Sequence, residues 1–595
     1  MDYDVAQILR DKNILLWQEM LASVEYPDMD VIEEMKSGTD LVGPAPRTGL
    51  WPQKFQPSLV TLEELGDLAV RDRAGLQQQF SSLSGADHIN EVWEKTMEEV
   101  KAGLLEGPID LANVPTNYPL SRRFGIRQGS KVRCIDDFSR SAVNSAAQTC
   151  ESPKPHTVDV FAAMCVNLMG AISDDTAWVG RTFDLIGAYR QCAINPNSKQ
   201  FSYIVAQRPS SLELVCFRMK ALPFGAVRSV HGFLRVAHSL WYLLTCEFKV
   251  LLTNYFDDFV AVAPESESNA ITSCVNMFFK LLGWAFSESG DKAPPFSNLF
   301  QALGVTINVS ALHLGRVQLG STESRRKEII EFLDLVLSRG GMTKQEALRL
   351  RGRLQFTSGN VFGRVGKCSL SAITNHAYLQ RGTNLSQDAL LAIRLHRHLL
   401  DDGRPRELKP ASSEPWFIQT DASYDEVAGA VDAGIGAVLF NPQGKPVSFF
   451  SKKLPAELIG KLNESAKQNA IFECEFFALF CSFLVWGERI TNAVVIFTDN
   501  NGVRDCLISC SSRNATAKKL LVATMALECK IQLTPWYARV PTDSNMADGP
   551  SRYRCQKVID LGAREYPIDV LDSWSQLMAL YEKWGEEQAL VLPQR

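Results

Sequence analysis

The sequence predicts an α+β chain of several domains that closes in an α/β domain. Three observations predict it. Tyr255-Phe256-Asp257-Asp258 lies between two apolar, β-rich runs, 248–254 and 259–263, the pattern of a strand, a tight turn and a strand. Residues 321–405 carry helical patterns, and from Trp416 onward strands alternate with helices. A chain of 595 residues, 46% hydrophobic and 22% charged, has the length for several cores and the make-up of an ordinary globular protein.

Bulk properties exclude several classes. The most apolar stretch, 232–256, is broken by Arg235, His238, Glu247 and Lys249, so it reads as a core helix plus a strand and no membrane association is expected. The acidic start Met1-Asp2-Tyr3-Asp4 is unlike a secretory signal or transit peptide, which sets the expectation of an intracellular protein, cytoplasmic or nuclear and not secreted. The 14 cysteines form no C-x-x-C pair, which argues against a zinc ribbon or disulfide framework and for a reducing compartment. A net charge of −5 argues at first against nucleic acid. Residues 1–100 hold 8 basic and 19 acidic side chains, however, and residues 321–370 hold 10 basic and 5 acidic ones. A local basic surface, rather than whole-chain charge, binds a phosphate backbone.

In chain order, residues 1–110 mix short helical patterns with Pro and Gly breaks, including a helix over 91–105, and carry no chemical motif. Two short strands with a basic, Gly-containing turn follow, from Arg122 to Asp137, and would present Arg127, Lys131 and Arg133 together. Such cations suit a triphosphate or a template backbone, though a solvated basic hairpin has the same pattern. Trp178 to Asp184 reads as a strand ending in a carboxylate, which is either a helix cap or a third acid for the central turn. Leu222-Pro223-Phe224-Gly225 precedes a helix with Val227, Val230, Phe233, Leu234, Ala237, Leu240, Trp241 and Leu244 on one face. The Asp257-Asp258 pair alone reads as an ordinary acidic turn. With a third acid it suits Mg²⁺ or Mn²⁺, which oxygen-only ligands favour, because like charges at close range are relieved by a divalent cation.

Further on, 328–337 reads as a helix ended by Gly340-Gly341, and Thr343 with Glu346 predicts a capping box for the next, which bears Arg349, Arg351 and Arg353. The polar stretch 401–415 reads as a linker. The final third offers strands ending at Asp421 and Asp499, a long helix over 464–486 containing Glu473 and Glu475, and Asp548 at a late turn. Acids so placed can converge on a two-metal site, although each alone also suits a structural role.

Taken in order, these segments resemble a retrotransposon reverse transcriptase with an RNase H domain, of the long-terminal-repeat or DIRS-like type. The blocks that carry the resemblance are Phe183-Asp184-Leu185 with Ala188-Tyr189, then Leu222-Pro223-Phe224-Gly225, then Tyr255-Phe256-Asp257-Asp258. A second set is Thr420-Asp421-Ala422-Ser423, Glu475-Phe476-Phe477-Ala478, Thr498-Asp499-Asn500 and Ala547-Asp548-Gly549-Pro550-Ser551-Arg552. The resemblance spans about 120–552 and implies a right-hand polymerase of fingers, palm and helical thumb joined to an α/β RNase H-like domain. The implied parts are an N-terminal extension over 1–110, fingers and palm over 111–315, thumb, connection and linker over 316–410, the RNase H-like domain over 411–555 and a tail over 556–595.

The resemblance also implies roles. Asp184, Leu185, Asp257 and Asp258 would hold two Mg²⁺ or Mn²⁺ ions, and Asp421, Glu475, Asp499 and Asp548 a second pair, with Glu473 a competitor to Glu475. Arg133 and Arg127 or Lys131 would grip the triphosphate, Gln191 and Lys292 would also bind the nucleotide, Phe224 and Gly225 would line its pocket, and Tyr189 would exclude a ribose 2′-hydroxyl. Tyr255, Leu303, Gly304, Arg349, Arg351 and Arg353 would contact primer and template. The implied partners are an RNA template, a DNA or RNA primer, the RNA–DNA hybrid and dNTPs. Two departures stand out: no His lies in 539–547 shortly before the last acid, and no protease motif, zinc knuckle or recombinase signature is present. The rival expectations are a decayed or domesticated copy that binds RNA without synthesis, and a cellular RNA-templated polymerase, against which the appended RNase H argues.

Overall fold

The computed structural model describes residues 1–82, 88–129, 131–169, 176–410, 414–427, 430–464, 469–490, 493–531 and 533–583. Ser130 of the basic hairpin, part of the 401–415 stretch and the last residues of the expected tail lie outside them. Two compact units form, Met1–Leu303 with Asn308–Leu314, and Gly304–Ile307 with Gly315–Arg595. Among the described residues no helix is long and apolar enough to cross a membrane.

After a short helix at Tyr3–Ile8, the first unit holds helices α1 (Ile14–Ser23) and α2 (Asp30–Ser37) and, beyond a helix over Leu62–Ser82, α3 (Ile89–Lys101) and strand β1 (Leu105–Asp110). The helix read over 91–105 thus stops early, and Leu105 already belongs to a strand. The basic hairpin follows as β2 (Leu120–Gln128) and β3 (Lys131–Asp137), then β4 (Trp178–Asp184), β5 (Tyr203–Gln207) and β6 (Leu214–Met219). Helix α4 (Val227–Cys246) leads to β7 (Leu252–Tyr255), β8 (Asp258–Pro264) and α5 (Ser268–Leu282). Strands β1-β6-β5-β2-β3 form one sheet and β7-β8-β4 another. In the second sheet β8 is central, and Phe259, Val260, Ala261, Val262 and Ala263 are all buried, so the apolar run reads as a strand covered on both faces. Burying a side chain such as Phe259 stabilises the fold by roughly 2–3 kcal/mol.

The N-terminal residues are built into this unit rather than laid on it. Val5, Leu9, Trp17 and Leu21 share one core with Phe183, Phe233 and Phe259. Arg235 of α4 forks onto Asp28 at 2.8 and 2.7 Å, a buried charge pair between the two segments.

In the second unit β9 (Val317–Ser321) precedes α6 (Glu323–Arg339), α7 (Lys344–Thr357), α8 (Leu370–Leu379) and α9 (Gln387–Asp402). Gly340 ends α6 at φ 67°, and Thr343 and Glu346 make both bonds of the capping box that starts α7. The stretch 401–415 is not wholly a linker, because β10 (Arg406–Leu408) pairs antiparallel with β9. The α/β part comprises β11 (Trp416–Val427), β12 (Ala430–Phe440), β13 (Pro446–Lys453), α10 (Ala456–Asn463), α11 (Ile471–Trp486), β14 (Ala493–Thr498), α12 (Asn501–Ser509), α13 (Ala515–Ile531) and β15 (Thr534–Arg539). The helix expected over 464–486 begins only at Ile471; residues 465–468 are outside the described set. Short helices α14 (Asp548–Ser551) and α15 (Gln556–Asp560), strand β16 (Arg564–Glu565) and α16 (Val570–Lys583) complete the chain. The strand order is β15-β14-β11-β12-β13-β16. The expected tail therefore adds an edge strand, and its Trp574 packs on Phe477 of α11 at 6.0 Å. Apolar residues at helical spacing, Val570, Trp574 and Leu577, drive this docking.

Candidate active site

In the first unit, β8 pairs antiparallel with both neighbours, and the register sets Asp258 opposite Asp184 on one side and opposite Tyr255 on the other. Phe256 and Asp257 form the two-residue turn between β7 and β8, with Phe256 at φ 54°. The Leu185 N–H donates to the Asp257 carbonyl at 3.3 Å, which ties the end of β4 to this turn, while the Leu185 side chain is buried. Three carboxylates thus meet at one end of the sheet because β4 ends where the β7–β8 turn begins. Burial first, then the charges of Asp257 and Asp184, push Asp258 up to about 6. Asp257 is raised chiefly by burial and then by the charge of Asp184, against the nearby charges of Lys292 and Arg133. Lys292 donates to Asp184 Oδ2 at 2.7 Å, and the Ser287 N–H holds the Asp184 carbonyl at 2.9 Å.

The remaining expected residues divide. Tyr189, in the 3₁₀ turn Ala188–Gln191, is buried, with its ring 5.6 Å from Phe224 and 4.7 Å from Phe233. Burial and the charge of Asp257 hold its phenol proton. Gly225 has φ 114°, and a Cβ there would lie 2.6 Å from the Asp136 carbonyl, so the turn after Phe224 requires glycine. A cavity of about 920 Å³ is lined by Glu99, Arg127, Arg133, Gly187, Arg190 and Phe224.

The strand register and the hydrogen bonds place Arg127 and Gln191 as follows. Ile126 pairs with Arg133 and Gln128 with Lys131, whereas Arg127 pairs with Val132. Arg133 and Lys131 therefore leave the strands on one side and Arg127 on the other, where its charge acts on Glu91 of α3, although Arg127 and Arg133 both line the cavity at the hairpin's edge. Gln191, expected to bind the nucleotide, is engaged by the protein: its amide donates to the Ile186 and Ala285 carbonyls, each at 2.8 Å, and accepts from Ala285 N–H at 2.8 Å. Tyr255 is partly exposed, and Leu303 and Gly304 form a turn at φ 50° and 76°. Arg349, Arg351 and Arg353 do not act as one patch. Positions 349 and 353 fall on one face of α7 and 351 on another, and Arg353 is paired with Glu328 at 2.6 Å. Arg351 instead lines a cavity of about 680 Å³ together with Arg364 and Lys367, with no carboxylate among the lining residues.

The second unit holds the other acids. Asp421 on β11 accepts from Ser551 Oγ at 2.5 Å. Glu475 on α11 accepts from Asn500 Nδ2 at 3.1 Å and Thr498 Oγ1 at 3.3 Å. Asp499 follows β14, and Asp548, the first residue of α14, accepts from Arg552 Nε at 3.1 Å. Burial chiefly, then Asp499 and Asp548, push Asp421 up to about 7 against the Ser551 bond. Burial chiefly, then Asp499 and Asp421, push Glu475 up to about 8 against the Asn500 bond. The charges of Asp499 and Asp548 thus reach Asp421, and those of Asp499 and Asp421 reach Glu475. Glu473 is turned elsewhere, accepting from Asn514 Nδ2 at 2.6 Å. Ser551, Thr498 and Asn500 carry no signature in sequence that marks them as partners of these acids; the adjoining Thr-Asp-Asn order is the one hint.

Among the described residues no group of three or more Asp, Glu, His or Cys side chains stands ready as an ion cage. The donor chemistry nevertheless fits a divalent cation, since both clusters are oxygen-only and their charges repel. Protein donors engage these carboxylates instead: Lys292 on Asp184, Ser551 on Asp421, Asn500 on Glu475 and Arg552 on Asp548.

No protein-family model and no curated protein matches the chain. Among solved structures, the foamy viral protease-reverse transcriptase dRH in complex with double-stranded DNA aligns at TM-score 0.43 and 11% identity, covering 83% of this chain and 84% of that one. The foamy viral protease-reverse transcriptase with double-stranded DNA aligns at TM-score 0.41 and 13% identity, over 76% of this chain and 83% of that one. The same viral protein with an RNA/DNA hybrid aligns at TM-score 0.41 and 11% identity, over 83% of this chain and 65% of that one.

Proposed function

We propose that this chain is a retroelement-type RNA-directed DNA polymerase that also cleaves the RNA strand of RNA–DNA hybrids. The observation that carries the first activity is the register that sets Asp258 opposite Asp184 with Asp257 on the adjoining turn. Three carboxylates so placed, two of them raised by burial and mutual repulsion, suit a pair of cations in nucleotidyl transfer. Asp184, Asp257 and Asp258 would hold Mg²⁺ or Mn²⁺ at one site, and Asp421, Glu475, Asp499 and Asp548 at the other. When bound, the ions supply Lewis acidity toward the attacking and leaving oxygens.

The chain's own residues do the rest. Arg133 and Lys292 are the cations whose charge reaches Asp257, and they would balance the triphosphate of a dNTP. Tyr189, wedged between Phe224 and Phe233, would leave no room for a 2′-hydroxyl. Phe224, 58% exposed beside the cavity, offers a ring to the incoming nucleotide. In the second unit the 2′-hydroxyl and groove shape of the hybrid would mark its RNA strand.

The test is extension of oligo(dT) on poly(rA) with dTTP and Mg²⁺, alongside scission of a labelled RNA strand in a hybrid. Both products are expected from the purified chain. Absence of extension with either Mg²⁺ or Mn²⁺ would remove the polymerase assignment.

A further inference from the structure

Residues 1–110 carry no motif, yet they send two charged side chains to the turn that bears Tyr189. On one flank, Arg190 Nη2 lies 2.9 Å from Glu99 Oε1 of α3 and 3.7 Å from Asp136, and Arg190 Nη1 donates to the Leu222 carbonyl at 3.2 Å. Glu99 is itself held by Arg123 at 2.6 Å, and Arg123, buried, forks onto Asp136 at 2.7 and 3.0 Å. Two guanidinium groups and two carboxylates thus close a largely buried, charge-balanced network.

On the other flank, Lys12 Nζ donates to Gln191 Oε1 at 2.7 Å and to the Gly283 carbonyl at 2.5 Å, and sits 4.3 Å from the Trp284 ring centroid. The segment that delivers Lys12 is seated closely. Gly283 has φ 73°, and a Cβ there would fall 1.7 Å from the Asp11 carbonyl, while Asn13 N–H donates to the Leu282 carbonyl at 3.2 Å. The two residues that follow Tyr189 are therefore each fixed by a side chain from the N-terminal region. The Tyr189 ring packs against Phe224 and Phe233, and the backbone of this short turn sets where it stands between them.

We propose that the N-terminal region is a positioning element for sugar selection, with Glu99 through Arg190 and Lys12 through Gln191 holding the turn that aims Tyr189. The proposal rests on reading the chain as a DNA polymerase with Tyr189 as the residue that rejects ribose. Glu99 and Lys12 are positioning residues: they act through Arg190 and Gln191. Discrimination by a steric wall depends on where the ring stands, and a displacement of about 1 Å is enough to matter. A merely structural role would lower stability and all synthesis together, leaving the ratio between dNTP and rNTP use unchanged.

The experiment uses the full chain with Glu99→Gln, Lys12→Met, both together, and Lys12→Arg as the conservative variant. The readouts are kcat/KM for dTTP and for rUTP on poly(rA)/oligo(dT), with the thermal midpoint measured in parallel. The expected result is a fall in discrimination of about fivefold or more in each single variant, a larger fall in the pair, and recovery in Lys12→Arg. DNA synthesis with wild-type discrimination in Lys12→Met and Glu99→Gln overturns the proposal. If Glu99→Gln does not fold, Lys12→Met against Lys12→Arg decides alone, because each flank is required. A wild-type chain that makes no DNA overturns the polymerase reading and this proposal with it, an outcome distinct from unchanged discrimination.

Discussion

Asp257 and Asp258 differ from most acidic turn residues in what lies against them. Asp184 faces Asp258 across the β4–β8 pairing, and burial first, with charge repulsion added, makes Asp257 and Asp258 bind protons more readily than free carboxylates. An amide at position 257 or 184 keeps the shape and removes a carboxylate that the proposed cations would need. Asp257→Asn and Asp184→Asn are expected to lose more activity than the about 10–100-fold that removal of an outer-shell partner costs, with folding intact. Primer extension and circular dichroism check it; near-normal extension by either variant would sink the assignment. Tyr189→Ala removes a ring buried against Phe224 and Phe233. Preference for dTTP over rUTP should then fall by about tenfold or more, and an unchanged preference would show that the wall lies elsewhere. The strand–turn–strand that carries Asp257 and Asp258 is legible in the sequence because two apolar runs flanking a turn are a local pattern. The side of the hairpin from which Arg127 leaves is not, because it depends on the pairing register, and here Arg127 sits opposite Val132 while Arg133 sits opposite Ile126.

At the scale of elements, α7 shows how composition misleads without geometry. Three arginines two residues apart cannot share a helix face, and Arg353 is already paired with Glu328. The cation-lined cavity that includes Arg351 and Lys367 is the better candidate for phosphate binding. Neutralising Arg351 and Lys367 should lower the slope of log K against log[salt] by about 1 for each phosphate that is no longer neutralised, and more than neutralising Arg349 and Arg353. Equal slopes for the two pairs would place the strand elsewhere. Helix α9 carries a pH dependence of its own. His396 is fully buried, and burial pushes it down to about 4. Its unfolded counterpart titrates near 6.5, so the unfolded chain takes up the proton first as pH falls. The stabilisation is present above pH 6.5 and is lost toward pH 4, up to about 3 kcal/mol for this one group. Thermal midpoints of wild type and His396→Gln across that window check it: the variant should be less stable at pH 7 but show a flatter slope, and parallel slopes would refute the claim. The capping box at Thr343 is readable because it spans four residues. The start of α11 at Ile471 and the edge strand β16 are not, since neither is decided by local pattern; β16 exists because it pairs with β13 far back in the chain.

Across the molecule, the two acid clusters fall in different compact units, Asp184, Asp257 and Asp258 in the first and Asp421, Glu475, Asp499 and Asp548 in the second. The division has a consequence for single substitutions. Sites that share no partner respond independently, so one substitution in each cluster should silence one activity and spare the other. Asp499 is the informative position. Its charge raises both Asp421 and Glu475, though burial is the larger cause for each. Asp499→Asn takes away a carboxylate the cations would need and also relieves repulsion on its two neighbours. RNA cleavage should therefore disappear while the thermal midpoint stays level or rises, the opposite of what removing a stabilising interaction produces. DNA synthesis on the same hybrid should change by less than about twofold, given the independence of the sites. Asp257→Asn should show the mirror result, with the labelled RNA strand still cut and no DNA made. A labelled RNA strand annealed to DNA, with Mg²⁺ or Mn²⁺, gives both readouts from one tube. If Asp499→Asn still cuts at the wild-type rate, the second unit's acids are not a nuclease site. If either variant loses both activities while remaining folded, the two sites are not independent, and the division of labour between the units is wrong.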